Sequence, residues 1–241
     1  MNSWLHSSWR LPVALLATAV VLGTALLPWP RALYLALTSE AGLVENATVL
    51  TALGGAGLAL SIWGLRGRLG APVLGFWFLL FALGLVFLAG EEISWGQQYL
   101  HWETPAGFAA RNYQRETNLH NLQGVDVDAP AVILGLGVFV GGIAWPLWVL
   151  VRRRAGVMDG WLGSLWPSAR LWPAAAIALA LWATEVTLVQ RGLDQSPALR
   201  THYVAIREAV ELFLIVYVLL YLADVRRRLG PREQGLVPLG D

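Results

Sequence analysis

Residues 71–101 read APVLGFWFLLFALGLVFLAGEEISWGQQYLH, and this stretch decides both the fold and the place of its chemistry. Residues 71–90 carry no charge and are long enough to cross a hydrocarbon core of about 30 Å as a helix. From Gly90 onwards the segment becomes polar, with two adjacent carboxylates, a serine, two glutamines and a histidine. Polar groups beside a bilayer are costly, so a dense group of them at the end of a span indicates a functional site.

The composition extends this membrane interpretation to the whole chain. Of its 241 residues, 56% are hydrophobic and only 14% are charged, whereas a soluble domain carries about 25% charged residues. So large a deficit must be spread over several spans. The absence of cysteine excludes disulfides and thiolate metal sites, and a net charge of +1 argues against a nucleic-acid partner.

We predict an all-α polytopic transmembrane bundle that forms a single integral membrane domain over residues 1–241. The six predicted spans are approximately residues 11–29, 47–65, 71–90, 130–151, 171–190 and 203–223. The first resembles a signal peptide but is long, so we interpret it as a mature span, and the short apolar run 32–38 as interfacial. In the longest connection, Thr104-Pro105 is typical of an N-cap followed by Pro at the first helical position, which predicts a short interfacial or re-entrant helix to about Arg115.

The arginines set the expected orientation. Placing both termini in the cytoplasm puts most of them on that side, including the triplets Arg152–Arg154 and Arg226–Arg228. We therefore expect a multi-pass protein of the bacterial inner membrane whose polar site faces the periplasm or exterior. In this topology every ionisable residue within a span lies in the outer half of the bundle, a segregation not expected of scattered structural ion pairs.

Helical spacing suggests which polar residues share a face. If the third helix continues past Gly90, Glu91, Ser94, Gln98 and His101 fall on one face. Glu116 and His120, four residues apart, share a face in the same way. In the sixth span Arg207 lies about 100° round the helix from Glu208, so we expect it to pair with a carboxylate on a neighbouring helix.

These residue types point to acid–base or metal-assisted chemistry. His101, His120 and His202 with nearby carboxylates suit a divalent cation, zinc above all, which lowers the pKa of bound water towards 7. A metal-free version uses Glu91 and Glu92 as acid and base. The predicted catalytic residues are Glu91, Glu92, Ser94 and Glu116, the predicted metal ligands are His101, His120 and His202, and the predicted substrate-binding or structural polar residues are Gln98, Asn118, Asn121, Glu185, Arg207, Glu208 and Glu211.

Each of these residues also has a structural interpretation. The carboxylates are compatible with interfacial charges that end a span, and Ser94 with a helix-packing hydroxyl. The amides are compatible with hydrogen-bonding groups between helices, the histidines with boundary residues, and Arg207 with a structural ion pair. The functional interpretation therefore depends on the convergence of these residues.

The motifs G-E-E-I-S-W-G-Q and E-T-N-L-H-N, within residues 90–121, resemble the signature of a family of uncharacterised bacterial multi-span membrane proteins. That family has no assigned activity, so the resemblance implies one site here and no particular reaction. Two other groups are more distantly similar. Glu91-Glu92 resembles the start of the E-E-x-x-x-R motif of CaaX-protease-like proteins, although Gly96 stands where their Arg belongs. The alkaline ceramidase and adiponectin-receptor superfamily uses similar residue types in seven helices, without matching His spacing here.

Our leading hypothesis is a membrane-embedded, metal-dependent or metal-free hydrolase or transferase that acts on a lipid or lipid-linked substrate at the outer leaflet. A transporter or proton-coupled carrier that uses Glu185, Arg207 and Glu208 is the first alternative. A non-catalytic membrane subunit that docks a periplasmic partner is the second. The sequence does not identify a protein partner.

Overall fold

The structure, a computed structural model, describes residues 42–124, 129–152, 165–197 and 199–230. Throughout these ranges the regular elements are helices, joined by turns and one isolated antiparallel bridge between Asn112 and Leu122. The α-helices are α1 (Leu43–Gly64), α2 (Gly75–Glu92), α3 (Gln97–Leu100), α4 (Ala106–Ala109), α5 (Ala129–Phe139), α6 (Trp145–Arg152), α7 (Trp172–Gln190) and α8 (Arg200–Arg228). The prediction of an all-helical fold is confirmed for this part of the chain.

Four helical stretches are long and apolar enough to cross a membrane. They are Leu43–Gly64, Pro72–Glu92, Ala129–Val151 and Ala169–Gln190, close to the second to fifth predicted spans. In an apolar segment of 18 residues within each stretch, only 17% to 39% of the residues are buried inside the protein, so most of that segment faces outward. Such surface is stable against lipid and unstable against water, which indicates a membrane protein.

Of the two remaining predicted spans, the first lies outside the described residues and the sixth falls within a longer helix. Residues 11–29 and the short run 32–38 lie outside the described residues. The sixth predicted span lies within α8, which at 29 residues extends beyond it at both ends. Helix α8 is not among these four candidate spans, because it carries charged residues near both ends: Arg207, Glu208, Glu211, Asp224 and Arg226–Arg228. A total of six spans therefore stays a prediction.

Helix α8 lies at the centre of the described bundle. On one side its Val218, Leu222 and Val225 pack with α1 and α2 around Phe78 and Ala56. On another side a second core joins it to α5 and α7, through residues that include Val138, Ala178, Val210 and Leu214. Because α8 packs against α1 and α2 on one side and against α5 and α7 on the other, its polar first turns lie among these helices.

Small residues permit close helix contacts in the second core. Between α5 and α6 the chain forms a π-helical segment, Val140–Ala144, and Gly141 and Gly142 are buried there. A Cβ on Gly142 would come within 2.2 Å of the Cβ of Ala175, so only glycine fits this approach.

One buried carboxylate lies at the opposite end of α8 from Arg207. Asp224 is 6% exposed and contacts the guanidinium groups of Arg227 at 2.9 Å and Arg228 at 3.3 Å. It also accepts a hydrogen bond from the backbone N–H of Ser168 at 3.3 Å, while Tyr221 donates to the carbonyl of Leu165 at 2.7 Å. These bonds fix the segment before α7 against the end of α8.

The connection from α2 to α5 contains less helix than predicted. Only the single turn α4 forms within residues 105–115, and no re-entrant helix is confirmed there. Pro105 is the residue before the first helical one, so Thr104 is not the N-cap that we predicted. Its hydroxyl instead accepts a hydrogen bond from the Gln97 amide at 2.8 Å and lies 3.2 Å from the Thr117 hydroxyl. Tertiary contacts of the connection therefore replace local capping.

Candidate functional site

The site begins where α2 ends at Glu92. Ser94 and Trp95 have left-handed backbones with φ of 48° and 57°, and Gly96 has φ of 96°. The helix therefore does not continue to His101, and the prediction that Glu91, Ser94, Gln98 and His101 share one helical face is wrong. For residues with a side chain this conformation costs about 1–3 kcal/mol, so surrounding contacts must hold it.

Glu91 is the anchor of this turn. Its side chain is 7% exposed, and its Oε1 accepts a hydrogen bond from the Trp95 indole at 2.7 Å. Its Oε2 accepts from the backbone N–H groups of Leu119 at 2.6 Å and His120 at 3.0 Å. One buried carboxylate thus joins the end of α2 to the loop that precedes α5.

The Trp95 indole reaches Glu91 because Gly90 leaves space for it. A Cβ at Gly90 would lie 2.8 Å from the Trp95 ring, which also packs edge-on against Phe87 at a centroid distance of 5.8 Å. The Gly, Glu and Trp of the G-E-x-x-x-W part of the signature therefore contact one another: the Trp95 ring packs on Gly90 and its N–H donates to Glu91.

Ser94 occupies the centre of a second hydrogen-bonded group. Its side chain is completely buried; the hydroxyl donates to Glu116 Oε2 and accepts from the Asn118 amide at 2.8 Å. The same amide donates to Glu116 Oε2 at 3.0 Å. The structure therefore brings Ser94, Glu116 and Asn118 together as predicted, although residues 116–120 form a loop and the predicted shared helical face of Glu116 and His120 is wrong.

Two amide side chains absent from the predicted site support this loop. Asn112, 4% exposed, donates to the backbone and side-chain oxygens of Asn118 at 2.9 Å and accepts from the N–H of Glu116 at 3.1 Å. Gln97 accepts from the N–H of Thr117 at 2.7 Å. The two signature motifs, far apart in sequence, thus bind each other directly, and the polar character of both was the only sequence signal for this.

His120 is the partly exposed member of the Glu91 group, with 38% of its side chain accessible. Its Nδ1 lies 3.6 Å from Glu91 Oε2, and its Nε2 lies 3.1 Å from the Asn121 amide nitrogen. An amide nitrogen is only a donor, so Nε2 accepts from it and the proton of a neutral imidazole is assigned to Nδ1. That tautomer directs the N–H towards Glu91. Asn121 itself also donates to the side-chain oxygen of Gln114.

A second polar group lies between α1, α2 and α8, and we call it the three-helix cluster: Glu45, Glu92, Gln98, Arg207, Glu208 and Glu211. The Gln98 amide donates to Glu45 Oε1 at 3.3 Å and to the backbone oxygen of Glu92 at 3.4 Å. Glu92 is within electrostatic reach of the other three carboxylates and of Arg207. Glu45 was missed because it precedes the predicted second span, although a carboxylate in a first helical turn is a recognisable signal.

Arg207 pairs mainly within its own helix. Its Nε lies 3.4 Å from Oε1 of Glu211, which is four residues later in the same helix. The prediction that Arg207 pairs with a carboxylate of a neighbouring helix is therefore wrong for this ion pair. The i, i+4 spacing brings the two groups together on one face without further ordering. Glu185 of α7 is within electrostatic reach of Arg207 and belongs to the edge of the cluster.

The three histidines predicted as zinc ligands have different surroundings. His120 lies beside Glu91, His101 is exposed after α3 with φ of 57°, and His202 lies in the first turn of α8. Among the described residues no group of three or more His, Asp or Glu side chains is arranged to hold a metal ion. The described residues therefore give no support to the predicted zinc site, which stays a prediction.

The chain was also compared with known proteins. No protein-family model, curated protein or solved structure matches it.

Proposed function

We propose that this protein is a membrane-embedded hydrolase or transferase that acts on a lipid or lipid-linked substrate at the outer leaflet. In this proposal His120 is the general acid–base group and Glu91 is the carboxylate that orients it. The observation that carries the proposal is the arrangement of His120, with Nδ1 3.6 Å from the buried Glu91 carboxylate and Nε2 on the other side of the ring.

The tautomer of His120 suits this role. A carboxylate that faces Nδ1–H leaves Nε2 as the basic atom and stabilises the imidazolium formed when Nε2 accepts a proton. The separation of 3.6 Å exceeds a hydrogen bond, as is common for catalytic contacts before substrate binds. When the attacking hydroxyl replaces the Asn121 amide at Nε2, that atom takes the proton of the hydroxyl and later returns it to the leaving group.

The nucleophile follows from burial. Ser94 is completely buried and its hydroxyl already donates to Glu116, so it has no free path to a substrate. We therefore assign Ser94, Glu116 and Asn118 to holding the loop in place, and the attacking group to water or a substrate hydroxyl. Water gives a hydrolase and a second substrate's hydroxyl gives a transferase.

A lipid substrate is supported by the surface around the loop. Large apolar and aromatic side chains are exposed there: Trp95, Tyr99, Leu100, Trp102, Tyr113 and Leu119. Trp and Tyr prefer the headgroup region, where the ring is apolar and the polar atom remains hydrated. A site among them receives the ester or phosphate region of a membrane lipid, and the arginine distribution supports the outer leaflet.

The test is turnover by the purified protein in nanodiscs of bacterial polar lipid, followed by mass spectrometry of the lipid products. We expect His120→Ala to reduce turnover by about 10²–10⁴-fold, the usual contribution of a general acid–base group. The substitution removes the contact between the His120 ring and Glu91 but keeps the backbone N–H of residue 120, which donates to Glu91 and helps to hold the loop.

His101→Ala is the matched control, since His101 is exposed and contributes no described hydrogen bond to the Glu91 group. It should retain the turnover of the unsubstituted protein. Equal turnover by the two histidine variants, or no turnover of any lipid by the unsubstituted protein, would contradict the proposal.

A further inference from the structure

The three-helix cluster contains acceptors that no described donor satisfies. The carboxylates of Glu92 and Glu208 are half-buried and make no hydrogen bond or ion pair to a described residue. The side-chain oxygen of Gln98 is buried and also has no partner, although the amide nitrogen of the same side chain is bonded to Glu45. Glu92 and Glu208 are within electrostatic reach of each other, and the Gln98 amide bonds the backbone oxygen of Glu92, so these three groups with open acceptors belong to one cluster.

An open donor lies next to these acceptors. Arg207 uses Nε for Glu211, while its two terminal nitrogens make no hydrogen bond to the described residues. A guanidinium carries five N–H donors in a planar fork that matches phosphate oxygens. Its side chain is 41% exposed, so a ligand at the membrane surface has access to it.

We propose that the three-helix cluster binds a zwitterionic headgroup that carries a phosphate and a primary ammonium. The phosphate binds the terminal nitrogens of Arg207, and the ammonium binds between Glu92, Glu208 and the side-chain oxygen of Gln98. The inference rests on the proposed function in one respect, since it names the headgroup class of the proposed lipid substrate.

The open acceptors of the three-helix cluster favour a primary ammonium over other lipid headgroups. A primary ammonium has three donors and no acceptor, which complements three acceptors that lack donors. Half-buried carboxylates without partners are unfavourable, and a bound cation relieves that cost. A quaternary ammonium supplies the same charge without N–H donors, and an anionic headgroup supplies no cation.

Phosphatidylethanolamine and phosphatidylcholine therefore provide a direct test of the primary ammonium. Native mass spectrometry of the purified protein, with each lipid added to detergent micelles, measures apparent affinity. We expect phosphatidylethanolamine to bind about tenfold more tightly than phosphatidylcholine, the effect of roughly one charge-assisted hydrogen bond. Phosphatidylglycerol should bind more weakly than phosphatidylethanolamine, because its headgroup has no ammonium.

Glu208→Gln tests the carboxylate without a large change of volume. We expect it to abolish most of the preference for phosphatidylethanolamine over phosphatidylcholine. The matched control is Glu103→Gln, the same charge change at an exposed loop residue without a described partner, and it should retain the preference. Arg207→Ala should weaken the binding of both lipids, because both carry the phosphate.

Several outcomes would overturn the inference. They are equal affinity for the two lipids, an equal loss of preference in Glu103→Gln and Glu208→Gln, or binding of soluble phosphoethanolamine without binding of the lipid. Binding of soluble phosphoethanolamine together with the lipid would support the headgroup chemistry. His120→Ala should bind phosphatidylethanolamine normally, so a failure of this inference and a failure of catalysis by His120 are separable.

Discussion

Removal of the Glu91 carboxylate should release the loop at residues 111–121 while the helices remain folded. Glu91→Ala deletes the acceptor for the Trp95 indole and for the backbone N–H groups of Leu119 and His120. A charge-assisted hydrogen bond contributes about 1.5–3 kcal/mol when buried. These bonds are part-buried, so about 1 kcal/mol each is a fair value, and the loop should lose about 3 kcal/mol.

Trypsin measures this loss directly, because it cleaves after arginine and the loop region contains Arg111 and Arg115. Cleavage needs local opening, and its rate follows the population of the open form when opening is fast. A loss of about 3 kcal/mol raises that population about 100-fold. Glu91→Gln retains one acceptor oxygen, so its cleavage rate should lie between those of Glu91→Ala and the unsubstituted protein.

Glu103→Ala is the control, since it removes an exposed carboxylate of the same connection that has no described partner. Its cleavage rate should stay within about twofold of the unsubstituted rate, as expected for a surface substitution. Cleavage of Glu91→Ala at the rate of Glu103→Ala would refute the anchoring role of Glu91.

Two further substitutions test other contacts. Gly90→Ala should destabilise the protein by about 1–3 kcal/mol in denaturant unfolding, because the new Cβ comes within 2.8 Å of the Trp95 ring. The control is Gly84→Ala, where no heavy atom lies within 4 Å of the added Cβ. This control should leave the unfolding free energy unchanged or raise it slightly. Asp224→Ala should lower the unfolding free energy by about 2–3 kcal/mol, because it removes a buried carboxylate paired with two arginines of its own helix. An unchanged denaturation midpoint would show that these ion pairs do not stabilise the fold.

The helices were predictable because the physical signal for them is local. A run of about 20 apolar residues is a strong constraint, and the second to fifth predicted spans each differ from the observed stretches by a few residues. The sixth predicted span falls within α8, which continues beyond it at both ends through charged and polar residues, and its crossing of the membrane stays a prediction.

The geometry of the site was less predictable, because it depends on contacts between distant segments. Helical periodicity placed Ser94 and Gln98 on one face, whereas the left-handed backbone at Ser94 and Trp95 separates them. That conformation is stabilised by Glu116 and Asn118, about 20 residues later, which no periodicity argument includes. The convergence of Ser94 with Glu116 was nevertheless correct, since both signatures are polar segments beside the same span.

Glu91 and Glu92 show how adjacent carboxylates acquire different roles. Successive residues of a helix point about 100° apart, so one carboxylate faces the loop and the other faces the three-helix cluster. The Glu91 carboxylate accepts three hydrogen bonds that fix the turn and the loop, whereas the Glu92 carboxylate has no hydrogen-bond partner among the described residues. Substitution of Glu91 should therefore change protease sensitivity first, and substitution of Glu92 should change lipid preference without releasing the loop. If both variants had the same pair of effects, the loop and the cluster would form one site instead of two adjoining ones.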